Sequence, residues 1–118
     1  MQILNAAELL AALGHESRLA IFRLLVQAGA EGVNASAIGE KLAIQPATLS
    51  FHLAHLNRVG LIRGERESRF IRYSADYTTM DELLAFLTHN CCQGQPCLPA
   101  TGMSDTIEKR RSGPKPCA

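Results

Sequence analysis

Between Ile44 and Gly60 the apolar residues follow a helical period. Leu49, Leu53 and Leu56 fall at i, i+4 and i+7, which lays one stripe along one side of a helix. Pro46 sits just inside the start, where its missing N–H costs nothing, and Gly60 sits just past the end. The other side carries Thr48, Phe51, His55 and Arg58, with Gln45 at the entry and Ser50 and His52 on the flanks. It holds no carboxylate and several hydrogen-bonding groups, a composition suited to base edges in the major groove of double-stranded DNA. A second helical segment, Ala35 to Leu42, lies just upstream across the short turn Ala43-Ile44-Gln45. Two short helices joined in this way predict a helix-turn-helix.

The pattern continues in both directions. Asn5-Ala6-Ala7-Glu8 has the form of a capping box, opening a helix that holds Leu9, Leu10 and Leu13 and stops at Gly14. A second helix is predicted from Glu16 to Ala28, with Leu19, Phe22, Leu25 and Val26 as its buried side, and Asn34 can cap the helix at Ala35. After Gly60 the period changes to alternation. Leu61 to Arg63 and Arg69 to Tyr73 are strand candidates around a turn at Gly64–Ser68, giving a two-stranded hairpin that carries arginines. A hairpin of that size is marginal alone and must lean on the helices. The expected fold is therefore mainly α (α+β): a winged helix-turn-helix of about five helices with a two-stranded β-hairpin wing. In such an arrangement Arg66 and Arg69 lie along the phosphates while the helix ahead of them enters the groove.

Thr79-Met80-Asp81-Glu82 offers another capping box, for a last helix reaching to about Cys92 with Met80, Leu83, Leu84 and Leu87 on one stripe. Apolar sides left over on the first and last helices predict a homodimer, which would also space two reading helices about one DNA turn apart. Beyond Gln93 glycine and proline interrupt the chain and no apolar period remains. Residues 1–97 are expected to form the folded domain and 98–118 a disordered tail.

Length and composition narrow the class. At 118 residues the chain suits one domain, and 47% hydrophobic with 19% charged residues is ordinary for a globular protein. No apolar run approaches the roughly 20 residues needed to cross a bilayer. The start, Met1-Gln2-Ile3-Leu4-Asn5, lacks a basic leader, so the expected location is the cytoplasm. The net charge of +1 does not announce nucleic acid. The local balance does: from Lys41 to Arg72 lie Lys41, Arg58, Arg63, Arg66, Arg69 and Arg72 against only Glu65 and Glu67.

Several of these motifs together resemble one family. Ala12-Leu13-Gly14-His15-Glu16-Ser17-Arg18-Leu19-Ala20-Ile21-Phe22 is similar to the entry of the second helix in ArsR/SmtB repressors. Leu49-Ser50-Phe51-His52-Leu53-Ala54-His55-Leu56 resembles their recognition-helix signature, Leu-Ser-x-His-Leu-x-x-Leu. Gly60-Leu61-Ile62, Arg66-Glu67-Ser68-Arg69 and Tyr73 resemble their wing, with Ser68 where the family usually has glycine. The resemblance covers about residues 5–92. It implies a dimeric repressor, paired through its first and last helices, that leaves its operator when an inducer binds.

The cysteines bear on the inducer. In Asn90-Cys91-Cys92-Gln93-Gly94-Gln95-Pro96-Cys97, Cys91 would fall on the stripe of Met80, and Gly94 and Pro96 would let the chain double back toward Cys97. Three soft thiolates with no histidine or carboxylate among them select soft ions. Trivalent arsenic or antimony is satisfied by three sulfurs, whereas zinc would want a fourth ligand. The family's Cys-Val-Cys arsenic pattern is absent from Ala35–Leu42. Its last-helix zinc site is reduced here to Asp76 and His89. A Cys-Cys pair ending the last helix, with a third cysteine shortly after, is similar to another arsenic-responsive branch. That resemblance implies Cys91, Cys92 and Cys97 as ligands of arsenite or antimonite. Cadmium, lead or zinc sensing and thiol redox sensing remain open on the same scaffold. A thiol enzyme is a distant alternative: it would want a cysteine at a helix N-terminus or near a phosphate-cradling loop, whereas Cys91 and Cys92 lie at a predicted helix C-terminus. No catalytic constellation is present.

Overall fold

The computed structural model describes residues 1–94 of the 118. Cys97, Cys117 and the tail expected over 98–118 lie outside them. The chain divides into two units, residues 1–84 and 85 onward. Along it run α1 (Ile3–Leu13), α2 (Glu16–Ala28), β1 (Val33–Asn34), α3 (Ala35–Leu42), α4 (Pro46–Val59), β2 (Ile62–Glu67), β3 (Phe70–Ala75) and α5 (Tyr77–Thr88), then a short 3₁₀ turn at Cys91–Gly94. Among the described residues no helix is long and apolar enough to cross a membrane.

The first unit is a helical core with a small sheet against it. Ile21 and Leu25 of α2, Ile38 of α3, Leu56 of α4 and the following Leu61 and Ile62 are fully buried. Leu49, Leu53 and Leu56 are all buried, as the stripe predicts. The phase of α2 differs from expectation. Leu19 is 43% exposed, and Ile21 takes its place beside Phe22 and Leu25. This helix is apolar through Leu19-Ala20-Ile21-Phe22 and Leu24-Leu25-Val26, so its own period does not single out an inner side.

Caps set the helix ends. Asn34 Oδ1 accepts the N–H of Ala37 at 2.9 Å, as the sequence suggests. Asn5 is not a cap: α1 begins two residues earlier, at Ile3, and the Ala6 N–H donates to the Gln2 carbonyl at 3.0 Å. Ile3 and Leu4 can join the helix without a capping side chain, which places both on the surface of its first turn. Nor does Thr79 cap α5. Asp76 Oδ1 accepts the Thr79 N–H at 3.0 Å, so the helix starts at Tyr77, directly after β3. The Tyr77 hydroxyl then donates to the Val26 carbonyl at 2.8 Å, occupying a carbonyl that the end of α2 leaves open.

Between α3 and α4 the chain turns at Ala43, which adopts a left-handed conformation (φ 56°, ψ 48°), while the Ile44 N–H donates to the Gly39 carbonyl at 3.0 Å. A Cβ on Gly39 would lie 3.2 Å from the Ile44 carbonyl oxygen and 3.3 Å from Leu49 Cδ2, so a glycine there lets α3 approach the turn and α4 closely.

The sheet has three strands, not two, in the order β1-β3-β2, all antiparallel. Val33 pairs with Tyr73 and Asn34 with Arg72. Because Asn34 also caps α3, β1 ties the hairpin to the helix-turn-helix. Arg72 reinforces that tie, donating from Nη1 to the Glu31 carbonyl at 3.3 Å and from Nε to Glu67 at 3.0 Å. The hairpin strands also extend beyond the predicted ones: Gly64 to Glu67 are in β2, and only Ser68 and Arg69 form the loop.

Candidate nucleic-acid interface

On α4 the buried residues are Leu49, His52, Leu53 and Leu56, the pattern i, i+3, i+4, i+7. At about 100° per residue the opposite crest consists of Ala47, Phe51, Ala54 and Arg58. Ser50 lies on one flank, and Thr48 and His55 on the other. Gln45, Thr48, Ser50, Phe51 and Arg58 are exposed, and His55 is half-buried. Pro46 at the first position and the left-handed Gly60 (φ 94°) past the last fix the length of the helix.

His52, expected on the flank of the reading face, is turned inward instead and is only 5% exposed. The i+3 position after Leu49 belongs to the apolar stripe, which the count by i+4 and i+7 passed over. Its ring packs against that of His15, with centroids 4.6 Å apart. Arg18 Nη1 lies 3.4 Å from His52 Nδ1, and Arg18 Nε donates to the Ala12 carbonyl at 2.7 Å. A guanidinium can only donate, so His52 Nδ1 accepts and the neutral ring carries its proton on Nε2. His15 Nδ1 is itself the cap of α2, accepting the Ser17 N–H at 3.1 Å. The His15–Arg18–His52 cluster thus sets α4 against the start of α2. Burial, followed by the charges of His15, Arg18 and His55, holds the His52 pKa below its ordinary value. His55 is lowered as well, by desolvation and then by Arg18 and Arg58. Both rings therefore favour the neutral form, in which His55 offers one donor and one acceptor.

The wing supplies the charge. Among the described residues Arg63 pairs with Asp76 at 3.8 Å and Arg72 with Glu67 at 3.0 Å. Arg66 and Arg69 are exposed near the hairpin tip and make no ion pair among the described residues. Gly64, read from the sequence as a turn residue, is in the strand. A Cβ there would come within 2.8 Å of the Tyr73 ring, so the missing side chain makes room for Tyr73. Ser68 is the left-handed residue of the loop, with φ 59°.

In the second unit α5 ends at Thr88, four residues before the predicted end. The His89 N–H closes a tight last turn on the Phe86 carbonyl at 3.3 Å, and Asn90, Cys92 and Gln93 follow at φ 57°, 54° and 58°. A left-handed asparagine is a common way to stop a helix. Cys91 and Cys92 are consequently not on the stripe of α5 but in the turn after it. Cys91 is half-buried and Cys92 exposed, their sulfurs are 3.8 Å apart, and Cys92 is disulfide-bonded. Among the described residues no three histidine, cysteine or acidic side chains gather around a metal position.

A carboxylate-free helix face beside a hairpin with two exposed arginines, built on a helix-turn-helix, defines a winged helix DNA-binding protein. A sequence model described as a helix-turn-helix domain matches residues 13–65. The HTH-type transcriptional regulator YgaV of Escherichia coli is 31% identical over 88 residues, spanning 75% of this chain and 87% of that protein. Among solved structures, HlyU from Vibrio cholerae superposes with a TM-score of 0.62 at 27% identity, over 79% of this chain and all of that one. The homodimeric winged helix-turn-helix domain Mb0332 from Mycobacterium bovis, a possible ArsR-family regulator, superposes with a TM-score of 0.58 at 23% identity, over 80% and 87% of the two chains. The chain belongs to the helix-turn-helix transcriptional regulators and has the winged helix fold of the ArsR type. It is a DNA-binding regulator, not an enzyme.

Proposed function

We propose that this regulator is an arsenite-responsive repressor of the cytoplasm, acting as a homodimer on a palindromic operator. Gln45, Thr48, Ser50, His55 and Arg58 read base edges, Arg66 and Arg69 hold phosphates, and His52 supports the reading helix from beneath. Pairing of two copies is supported by the exposure of Ile3 (76%), Leu4 (70%) and Leu84 (55%), and by the homodimeric state of Mb0332. Arsenite or antimonite is bound by Cys91, Cys92 and Cys97 in their reduced form. The inducer assignment is supported by the placing of Cys91 and Cys92 side by side in the turn after α5, their sulfurs 3.8 Å apart. Capture of the ion reshapes the turn that follows α5, and a preference for the unfit state of about 1–3 kcal/mol lowers DNA affinity about 5- to 150-fold.

The test is fluorescence anisotropy on operator DNA under reducing conditions, with arsenite titrated against wild type and the Cys91→Ser, Cys92→Ser and Cys97→Ser variants. Each variant is expected to bind DNA normally and to stay bound when arsenite is added. Release of Cys91→Ser or Cys92→Ser at the wild-type arsenite concentration refutes the assignment. The disulfide at Cys92 favours a second reading, thiol redox sensing, in which peroxide releases the wild type without any metalloid.

A further inference from the structure

The hydrogen-bonding groups of α4 surround one large hydrocarbon that they do not explain. Phe51 is 65% exposed at the centre of the outward crest. The crest residues one turn to either side, Ala47 and Ala54, are methyl-sized and also exposed, so the ring stands above them. The ring lies against the His52 ring in a tilted, edge-to-face arrangement, with centroids 5.6 Å apart and planes at 65°, and His52 is itself held by His15 and Arg18. Phe51 is thus a supported projection, aligned with Arg58 on a face flanked by Ser50, Thr48 and His55. It is the wrong residue for phosphates and for the donors and acceptors of guanine, adenine or cytosine. The apolar group that the major groove presents is the 5-methyl of thymine.

We infer that Phe51 is a specificity-determining residue that selects a thymine in each operator half-site by packing on its 5-methyl group. This rests on α4 being the reading helix. The contact excludes water from one methyl group and the ring face, so it adds discrimination without a hydrogen bond. Ser50, His55 and Arg58 supply the polar readout on either side. Because the preference resides in a single methyl, deoxyuridine, which pairs identically and lacks only that group, isolates it.

Operator duplexes are first selected from a randomised library with wild-type protein. Each thymine of the selected duplex is then replaced by deoxyuridine, in both half-sites together, and affinity is measured for wild type, Phe51→Ala and Phe51→Leu. One thymine position is expected to lose about three- to fivefold affinity per half-site with wild type, the equivalent of one buried methyl group. At that position Phe51→Ala is expected to bind thymine and deoxyuridine duplexes equally, and Phe51→Leu to recover part of the preference. The exposure of Phe51 lets Phe51→Ala fold, which the thermal melt of the variant verifies. Indifference of wild type to deoxyuridine at every position, or an unchanged preference in Phe51→Ala, overturns the assignment. Failure of wild type to select any duplex removes the reading role of α4 itself, and is distinct from both.

Discussion

Leu4→Ala separates a surface residue from an interface residue, because its two possible effects differ widely in size. Leu4 lies in the first turn of α1 and is 70% exposed, while the inner side of the same helix is formed by Ala6, Leu9 and Ala12. In an isolated subunit the truncation touches little, and alanine is at least as good a helix former as leucine, so folding is expected to change by less than about 0.5 kcal/mol. In a two-fold dimer the exposed part of the side chain is removed from water. Fully burying a leucine is worth about 1.5–3 kcal/mol, so the 70% still exposed accounts for about 1–2 kcal/mol. Symmetry makes the loss count twice, giving about 2–4 kcal/mol, or about a 30- to 700-fold weaker dimer. Sedimentation equilibrium over a range of concentrations reads the constant directly, and the midpoint of thermal melting at a fixed concentration falls as the dimer weakens. A dimerisation constant within about threefold of wild type, about 0.7 kcal/mol, refutes the assignment of this face to the partner subunit.

The remaining expectations concern the wing and the histidine cluster. Ser68 is held at φ 59°, where an L side chain is strained, so Ser68→Gly should raise stability by a few tenths to about 1 kcal/mol, with slower hydrogen exchange in the β2–β3 amides. A lower melting temperature in Ser68→Gly counts against the left-handed turn. Because the folded protein holds the His52 pKa below its ordinary value of 6.5, it resists protonation there. The stability this contributes is complete above about pH 6.5 and is lost as pH falls through the lower folded value. Thermal melts from about pH 7.5 to about pH 5 should show that loss, and His52→Asn should flatten it. An acid limb of equal steepness in the variant assigns the titration to another group.

The reading helix and its neighbour were legible because their signals are local. The stripe of Leu49, Leu53 and Leu56, the proline and glycine at the ends of α4, and the Asn34 cap are all separations of a few residues, and they fixed α3 and α4 to the residue. The exposure of Gln45, Thr48, Ser50 and Arg58 follows from the same period. His52 was misplaced because a polar ring on the inner stripe needs partners, and those partners, His15 and Arg18, lie more than thirty residues away on another helix.

By itself the sequence determined the order of elements, the helix-turn-helix, the arginine-bearing hairpin and the family to which they belong, since periodicity and turn chemistry act over one or two turns of chain. Only the tertiary structure decided which residues of the two apolar runs of α2 face inward and that Val33–Asn34 adds a third strand beside β3. It also showed that α5 gives way before the cysteines. The first two depend on groups distant in sequence competing for the same buried space and the same backbone partners. The third depends on backbone conformation at Asn90, which the apolar period of the helix does not encode.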